Sequence, residues 1–284
     1  MQYNPVSGIS QTSGGIEVFT SLLIVFIVTM VAFLTEYMFK LRNETNTRAK
    51  ALLDYTASSQ ETLQPIRQDI TKFKEAIPIG LSVNERSGIE FAYSFYLMVG
   101  SGTFTGEKKL KHVFHKGYPS YWPLMSPGVF IWGHKNTMRI VMSTIKNPFT
   151  HVDIQNIPID KWFHVVLNCY KGGLDVYVNG NMANRITFKH DVPYQNFQDI
   201  QFFSFKNLSL SKTNVPALSE HPDATLDFQG HFTGMLSSLK YTRYAMSIYQ
   251  IQALMSEGPS KKRKVDTEQL PPYMADNWWS NQQS

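Results

Sequence analysis

Residues 160–180 constrain the fold of this chain more than any other stretch, because they predict two strands and two turns. Apolar residues alternate with other residues along both predicted strands: Phe163, Val165, Leu167, Cys169, Leu174, Val176 and Val178. This period of two is typical of a half-buried strand. Gly172-Gly173 would supply positive φ angles for a tight hairpin, and Asn179-Gly180 is a strong hairpin signal. We therefore expect an antiparallel sheet with one solvated face at the centre of the protein, and not a parallel α/β core.

The composition fits a sizeable apolar core that stands without disulfides. Of the 284 residues, 43% are hydrophobic and 13% are aromatic, and the formal net charge is +5. That charge excess is modest and predicts no nucleic-acid partner. Cys169 is the single cysteine; we expect it to be a buried small hydrophobe, and the lack of a disulfide partner favours a reducing compartment.

An uncharged run from Val18 to Leu34 predicts a transmembrane helix over residues 16–39. The residues expected to anchor it are Leu22, Leu23, Ile24, Phe26 and Ile27. The alternative, a buried core helix, is less favoured because the run lacks a polar stripe. Residues 1–15 are polar and contain no Lys or Arg, so we do not expect a cleaved signal peptide.

The charges that flank this run predict its orientation. No basic residue precedes the run. Four follow it on the C-terminal side: Lys40, Arg42, Arg48 and Lys50. The positive-inside rule then places the C-terminal domain of a single-pass protein on the cytoplasmic side. Two sequons, at Asn43 and Asn207, would be glycosylation candidates only in the opposite topology.

Residues 40–78 are interpreted as a partly helical stalk. Apolar residues step by three and four along it: Leu63, Ile66, Ile70, Phe73 and Ile77. Pro65 suits the first turn of such a helix. The stripe is too short for a coiled coil, and packing on the globular domain or on a neighbour is the alternative.

Residues 79–257 change to short strands with regular turn signals, which predict a mainly β, antiparallel β-sandwich or jelly roll, closed by a helix from Ser247 to Met255. The segments "GIEFAYSFYLMV", "HVFHKG", "SPGVFIW", "IPIDKWFHVVLNCYKGGLDVYVNG" and "FTGMLSSLKYTRYAMSIYQIQAL" occur in this order. In that order they resemble a laminin-G-like domain of the concanavalin A-like lectin/glucanase superfamily. The resemblance implies the fold and says little about the ligand.

Enzymatic activity is not expected. Glucanases of this superfamily carry a Glu-x-Asp-x-(x)-Glu triplet, whose carboxylates act as nucleophile and acid–base, and the sequence lacks it. His112 and His115 are three apart on a predicted strand, so we expect them to face opposite sides and not to share a metal.

Two kinds of site remain as candidates on the domain. No cofactor is expected except a calcium ion, for which laminin-G-like domains often have a rim site; Asp153 and Asp199 are the candidate ligands. Aromatic residues in or near loops are candidates for stacking on sugar rings: Tyr118, Tyr121, Trp122 and Trp132. The alternatives are solvated or turn-capping acids and ordinary core aromatics.

Residues 258–284 form a basic and aromatic tail. We expect a partner-binding role for Lys261, Lys262, Arg263, Lys264, Trp278 and Trp279. An acidic protein or an anionic lipid would attract the basic run, and the tryptophans would dock on a partner. A nuclear localisation signal is the alternative interpretation of the run.

These parts predict a non-enzymatic, membrane-anchored binding or scaffolding protein that tethers a lipid bilayer to a protein assembly. Such a layout would suit a minor capsid protein that links the capsid and internal membrane of a large DNA virus. A membrane-anchored lectin for adhesion is the first alternative, with carbohydrate as the partner. A glycoside hydrolase is the second and less favoured alternative.

Overall fold

A computed structural model describes residues 13–47, 49–82, 89–188, 191–213, 215, 223 and 225–263, with the side chains of the first helix described from 18 to 38. The chain divides into two compact units, Met1–Arg48 and Ala49–Ser284. Within the described residues, the first unit holds one helix, and the second holds thirteen strands and one helix.

The first unit is the helix α1, Ser13–Thr47. Its segment Val18–Met38 is long and apolar enough to cross a membrane, and its side chains are exposed over that whole segment. The five predicted anchor residues Leu22, Leu23, Ile24, Phe26 and Ile27 are all among these exposed side chains. The predicted apolar helix is therefore present, and it continues beyond residue 39.

The second unit consists mostly of strands. Their bounds are β1 Lys50–Ser58, β2 Phe91–Val99, β3 Leu110–Gly117, β4 Met125–Trp132, β5 Thr137–Val141, β6 His151–Gln155, β7 Trp162–Tyr170, β8 Gly173–Val178, β9 Asn181–Thr187, β10 Ile200–Phe202, β11 Asn207–Ser211, β12 Thr225–His231 and β13 Gly234–Thr242. A 3-10 turn spans Ser101–Thr103, and helix α2 spans Ile248–Glu257. Ser247 caps α2 and forms a capping box with Gln250, so the predicted closing helix is confirmed.

The strands form two sheets that share one core. Sheet A has the order β1-β13-β2-β7-β8-β9, and sheet B has the order β11-β12-β3-β4-β5-β6, with β10 also paired to β3. The pairs are antiparallel except β12 with β3, which run parallel. Buried side chains of both sheets, such as Phe95 and Phe114, pack in the same cluster, with the two rings in edge contact at 5.0 Å. The predicted mainly β sandwich is confirmed.

The hairpins of residues 160–180 form as predicted, but for partly different reasons. Asn179 and Gly180 both have positive φ, 49° and 77°, which is the geometry of a type I′ turn. Gly172 and Gly173 do not adopt positive φ, so that expectation was wrong. Gly173 is needed instead for a close approach, because a Cβ there would lie 2.2 Å from the carbonyl oxygen of Ile186 on β9.

The expectation of a solvated sheet face was also wrong. On sheet A, helix α2 covers the face opposite the core, where Ala92, Val166, Ile251 and Leu254 form a second buried cluster. Asn168 fixes this cover, since its side chain bonds both the N–H and the carbonyl of Met246. On sheet B, a third cluster of buried residues covers the outer face: Leu110, Tyr121, Met125, Phe130, Trp132, Val141, Phe149, Leu210, Val215, Leu226 and Phe228.

Beyond the end of α1 at Thr47, the predicted helical stalk is wrong. Residues 50–58 are strand β1, which pairs antiparallel with β13, so the sandwich begins before residue 79. In the following segment, Ile66 exchanges main-chain hydrogen bonds with Ile200, at 3.0 and 3.1 Å. Leu63, Ile66 and Ile77 pack on the sandwich core. A short isolated helix is marginal in water, and these apolar side chains gain more by burial against the sheet.

Candidate functional site

The aromatic residues predicted to stack on sugars divide into two groups. Tyr121 and Trp132 are buried, with 0% and 2% of their surface exposed, so neither can offer a ring face to a ligand. The charged groups of Arg139 and Lys135 lie over the Trp132 ring, 4.7 and 5.1 Å from its centroid. Both predictions were wrong because these rings fill the outer cluster of sheet B.

Tyr118 and Trp122 lie in the loop between β3 and β4 and remain accessible. Tyr118 is 41% exposed. Trp122 is half-buried and stacks on Phe149, with centroids 5.1 Å apart and an interplanar angle of 15°. One face of the Trp122 ring is therefore occupied by the protein itself.

The two predicted calcium ligands are bound to arginines. Asp153 on β6 accepts two hydrogen bonds from Arg139, at 2.7 and 2.8 Å. Burial raises the pKa of the Asp153 carboxyl, but Arg139, helped by Lys135, outweighs burial and holds that pKa below its usual value. Asp199 accepts from Arg67 at 2.9 Å and from the N–H of Gln68 at 3.1 Å. Within the described ranges, the structure holds no group of three His, Cys, Asp or Glu side chains placed for a metal ion. The geometry thus gives no support to the calcium prediction.

Other carboxylates of the sandwich also have structural partners. Asp175 accepts two hydrogen bonds from Arg185, at 2.5 and 2.9 Å. Asp160 accepts from the N–H of Ser101 at 3.1 Å, which ties the loop before β7 to the end of β2. These groups stabilise loops and strand pairs and are not arranged as an acid–base pair.

The basic tail begins as an extension of sheet A. The N–H of Thr56 on β1 donates to the carbonyl of Lys262 at 2.8 Å, and Arg263 makes a parallel bridge to Thr56. The ammonium of Lys262 lies 3.2 Å from the carboxylate of Asp54. Lys261, Lys262 and Arg263 are exposed, so the start of the basic run is fixed on the domain. Lys264, Trp278 and Trp279 lie outside the described residues.

An open cleft, which we call the rim cleft, lies where loops of both sheets meet at one end of the sandwich. The loop after β5, the turn between β7 and β8, and the loop after β9 form it. Main-chain bonds hold these loops together: Ile145 N–H to Val192 O at 3.2 Å, Tyr194 N–H to Ser143 O at 2.9 Å, and Phe188 N–H to Gly172 O at 3.0 Å. The cleft has a volume of about 530 Å³ and is lined by Ile145, Lys146, Lys171, Gly172, Phe188, Asp191 and Val192.

The rim cleft combines apolar surface with charged groups. Ile145 is 67% exposed, whereas Phe188 is almost fully buried and forms part of the floor. The carboxylate of Asp191 accepts from the N–H groups of Lys146 at 3.3 Å and Val192 at 2.9 Å, which orders the loop. Lys171 follows β7 and is exposed. This arrangement suits a ligand with an apolar face and a negative charge.

No sequence pattern predicted the rim cleft. Its residues come from three separate loops, and the lysines are ordinary solvated residues in sequence. The two-glycine turn after β7 was the one visible signal, since it marks where Lys171 leaves the sheet. The proximity of the three loops follows only from the register of β5, β7 and β9.

A buried lysine lies behind the same end of the sandwich. Lys116 on β3 is 3% exposed, and its ammonium donates to the carbonyl oxygen of Asn196 and, at 3.1 Å, to its side-chain oxygen. It borders a cavity of about 10 Å³ that Tyr93 and Tyr241 also line, which suffices for one water at most. Burial lowers the pKa of Lys116 to about 7, opposed weakly by Asp199.

Comparisons with known proteins find similarity to solved structures at low sequence identity. No family model matches the chain, and no curated protein sequence matches it. Among solved structures, it is similar to the receptor binding domain of botulinum neurotoxin D, with 9% identity, a TM-score of 0.42, and coverage of 63% of this chain and 39% of that one. It is also similar to the binding domain of botulinum neurotoxin DC in complex with SialylT, with 13% identity, a TM-score of 0.40, and coverage of 59% and 35%. The chain thus spans little more than a third of these structures, and the likeness indicates nothing about a ligand.

Proposed function

We propose that this protein is a non-enzymatic, membrane-anchored binding protein, in which α1 spans the bilayer and the rim cleft holds the ligand. The rim cleft carries the proposal, because it is an open, preformed concavity with apolar and charged groups on loops of a rigid scaffold. Binding residues are often placed on loops in this way. The carboxylates described above are engaged in ion pairs and loop contacts, which favours binding over hydrolysis.

The ligand that best fits the rim cleft is an acidic carbohydrate. The apolar surface of Ile145 and Phe188 would contact the hydrophobic face of a sugar ring. Lys171 would pair with a carboxylate or sulfate on it, since an ammonium is a compact charge that binds such groups. Tyr194, which is 46% exposed on the adjacent loop, would extend the apolar contact.

The matching test is a panel of immobilised glycans, probed with the full chain embedded in lipid nanodiscs. We expect binding to sialylated or sulfated glycans and none to their neutral counterparts. Equal binding to both sets, or binding to neither, would remove the acidic-carbohydrate proposal.

A tether to a protein assembly is the second candidate, and the fixed basic segment favours it. Lys261 and Arg263 are held exposed on the edge of sheet A, where an acidic protein surface would meet them without the entropic cost of ordering a free tail. A capsid that surrounds an internal membrane is one such assembly. The segment order of a laminin-G-like domain is compatible with either candidate.

We propose that the sandwich faces the cytoplasm, because the basic residues lie on the C-terminal side of the apolar segment Val18–Met38. The sequon at Asn207 gives a direct test, because Asn207 is exposed on β11. Translation of the full chain in the presence of microsomes should yield a membrane-integrated, unglycosylated product. A shift in mobility that an endoglycosidase reverses, and that Asn207→Gln abolishes, would place the sandwich in the lumen.

A further inference from the structure

Two buried histidines on β3 contact each other on the outer face of sheet B. The Nε2 atom of His112 and the Nδ1 atom of His115 are 2.7 Å apart, and both residues are almost fully buried. Their spacing of three predicts opposite faces, but the register with β4 shifts between His112 and Phe114. This β-bulge points Val113 and Phe114 into the shared core and brings the two imidazoles together. The sequence-based expectation was therefore wrong.

The hydrogen bonds of the pair allow one arrangement of protons. The N–H of Ser204 donates to Nδ1 of His112 at 2.9 Å, so His112 carries its proton on Nε2. That proton is donated to Nδ1 of His115, so His115 carries its own proton on Nε2. It is donated in turn to the carbonyl oxygen of Tyr118 at 2.8 Å. The chain begins at a donor and ends at an acceptor, and both imidazoles are neutral.

This chain of hydrogen bonds cannot accommodate an additional proton. If either ring becomes an imidazolium, two N–H groups must face each other, either between the rings or at Ser204. Within the described part of the chain, no titratable group nearby compensates the added positive charge. His231 acts on His112, Lys206 acts on His115, and the Tyr121 phenol packs on both rings. On β12, the Asp227 carboxylate is bonded to the hydroxyl of Ser209. Burial lowers the pKa of His115 to about 4 and lowers the pKa of His112 well below its usual value.

The chain of hydrogen bonds holds a loop over an aromatic cluster. Tyr118 begins the loop 118–124, and the N–H of Tyr121 donates to the Tyr118 carbonyl at 2.9 Å. The Tyr121 ring lies 5.2 and 5.0 Å from His112 and His115. It stacks on Phe228 at 5.2 Å and meets the edge of Phe130 at 5.9 Å. The Tyr118 carbonyl therefore joins the histidine pair to the residue that fills the cluster.

We propose that His112 and His115 form an acid-sensitive latch, and that proton uptake by the pair releases the loop 118–124 and exposes the aromatic surface of Tyr121, Phe130 and Phe228. This proposal does not rest on the rim cleft or its ligand. The latch is closed at neutral pH and opens as the pH falls below the pKa of a free imidazole.

Hydrogen exchange of the full chain in nanodiscs, corrected for the intrinsic dependence on pH, tests the latch. Between pH 6.5 and pH 4.5, protection of the peptide that spans Tyr118–Leu124 should fall about tenfold for each pH unit, as expected for opening coupled to one proton. Peptides from β2 and β7 should keep their protection over the same range. Constant loop protection, or loss of protection in β2 and β7 together with the loop, would overturn the proposal.

Matched variants separate the pair from the other histidines. Glutamine offers one donor and one acceptor and does not titrate, so the double variant His112→Gln/His115→Gln should show loop protection that is independent of pH. His134→Gln, at an exposed position after β4, should behave as the wild type. A double variant that keeps the wild-type dependence on pH would contradict the latch.

Imidazole nitrogen chemical shifts of the wild type keep the proposal testable if the double variant does not fold. Both rings should be neutral at pH 7, with His112 protonated on Nε2 and His115 on Nε2, and should titrate over the range in which the loop opens. An imidazolium at pH 7, or titration outside that range, would overturn the proposal.

Discussion

The guanidinium of Arg139 binds the carboxylate of Asp153 through two hydrogen bonds, Nε to Oδ1 at 2.7 Å and Nη2 to Oδ2 at 2.8 Å. A second carboxylate, on Asp223, accepts from Nη1 at 2.7 Å. Arg139 is 4% exposed, so this ion-pair network is largely removed from water. It joins β5 to β6 and engages the Asp153 carboxylate, which the sequence predicted to be a calcium ligand.

Asp153→Asn should destabilise the sandwich by about 2–4 kcal/mol, because it leaves a buried guanidinium with one carboxylate fewer. Asp54→Asn is the control: its pair with Lys262 is exposed and should contribute less than about 1 kcal/mol. Urea unfolding of the full chain in detergent measures both variants. Equal losses would show that burial of Arg139 has no energetic consequence.

Calcium should not stabilise the protein. The oxygens of Asp153 and Asp199 are bonded to Arg139, Arg67 and Gln68, and a cation would have to displace these partners. The melting temperature should therefore be the same in millimolar Ca²⁺ and in excess chelator. A higher melting temperature in Ca²⁺, abolished by Asp153→Asn, would support a calcium site at Asp153.

Tyr121 should tolerate loss of its hydroxyl but not of its ring. Among the described residues, that buried hydroxyl has no hydrogen-bond partner, although Ser204 is near enough to influence its pKa. Tyr121→Phe should change the stability by less than about 1 kcal/mol, whereas Tyr121→Ala should cost about 3–5 kcal/mol through lost burial and the cavity left behind. Denaturant midpoints at pH 7.5 compare the two, and a similar cost for both would contradict the role of the ring.

Lys116 makes stability depend on alkaline pH. Its pKa is about 7 in the folded chain and near 10.5 when unfolded, so above pH 7 the unfolded chain binds more protons and stability rises with pH. From pH 7 to pH 9, the wild type should gain about 1–3 kcal/mol relative to Lys116→Met, measured by urea unfolding at each pH. A constant difference between the two proteins would show that Lys116 remains charged in the fold.

The segment after α2 should contribute to stability although it is exposed. Ser260 donates from its N–H to Ser237 at 2.9 Å and from its hydroxyl to the carbonyl of Asp54 at 2.8 Å. A chain that ends after Gly258 should be about 1–3 kcal/mol less stable than one that ends after Arg263, because it lacks these hydrogen bonds. Thermal unfolding distinguishes the two, and equal stability of both truncated chains would argue against the sheet extension.

The sequence predicted what depends on local pattern. The β7–β8–β9 hairpins and the apolar helix follow from alternation, turn residues or an uncharged run within a few positions, and the closing helix that begins near Ser247 was also predicted. Predictions from the sequence failed where pairing between residues far apart in the chain determines the structure. Strand β1 is stable only beside β13. Of the apolar stripe, Leu63, Ile66 and Ile77 pack on the sandwich core, and Ile66 pairs with Ile200 of β10, which lies far along the chain.

The candidate site was predicted less well than the fold, for two physical reasons. A β-bulge reverses the alternation that sequence spacing assumes, as at Val113, and so brings His112 and His115 to one face. Aromatic residues in loops can also fold back onto a sheet, as Tyr121 does, so loop position does not establish exposure. Tyr118, by contrast, is exposed as expected.

Two lysines at opposite ends of β7 provide the most direct test of binding at the rim cleft. Lys171 lines the cleft, whereas Lys161 precedes the strand at its other end, and both are exposed. Affinity for a sialylated glycan should be measured by calorimetry on the full chain in nanodiscs. The proposal predicts that Lys171→Ala weakens binding about tenfold, which corresponds to about 1.4 kcal/mol, and that Lys161→Ala leaves it unchanged. Equal affinities for the two variants, or loss at Lys161 alone, would contradict a ligand site in the rim cleft.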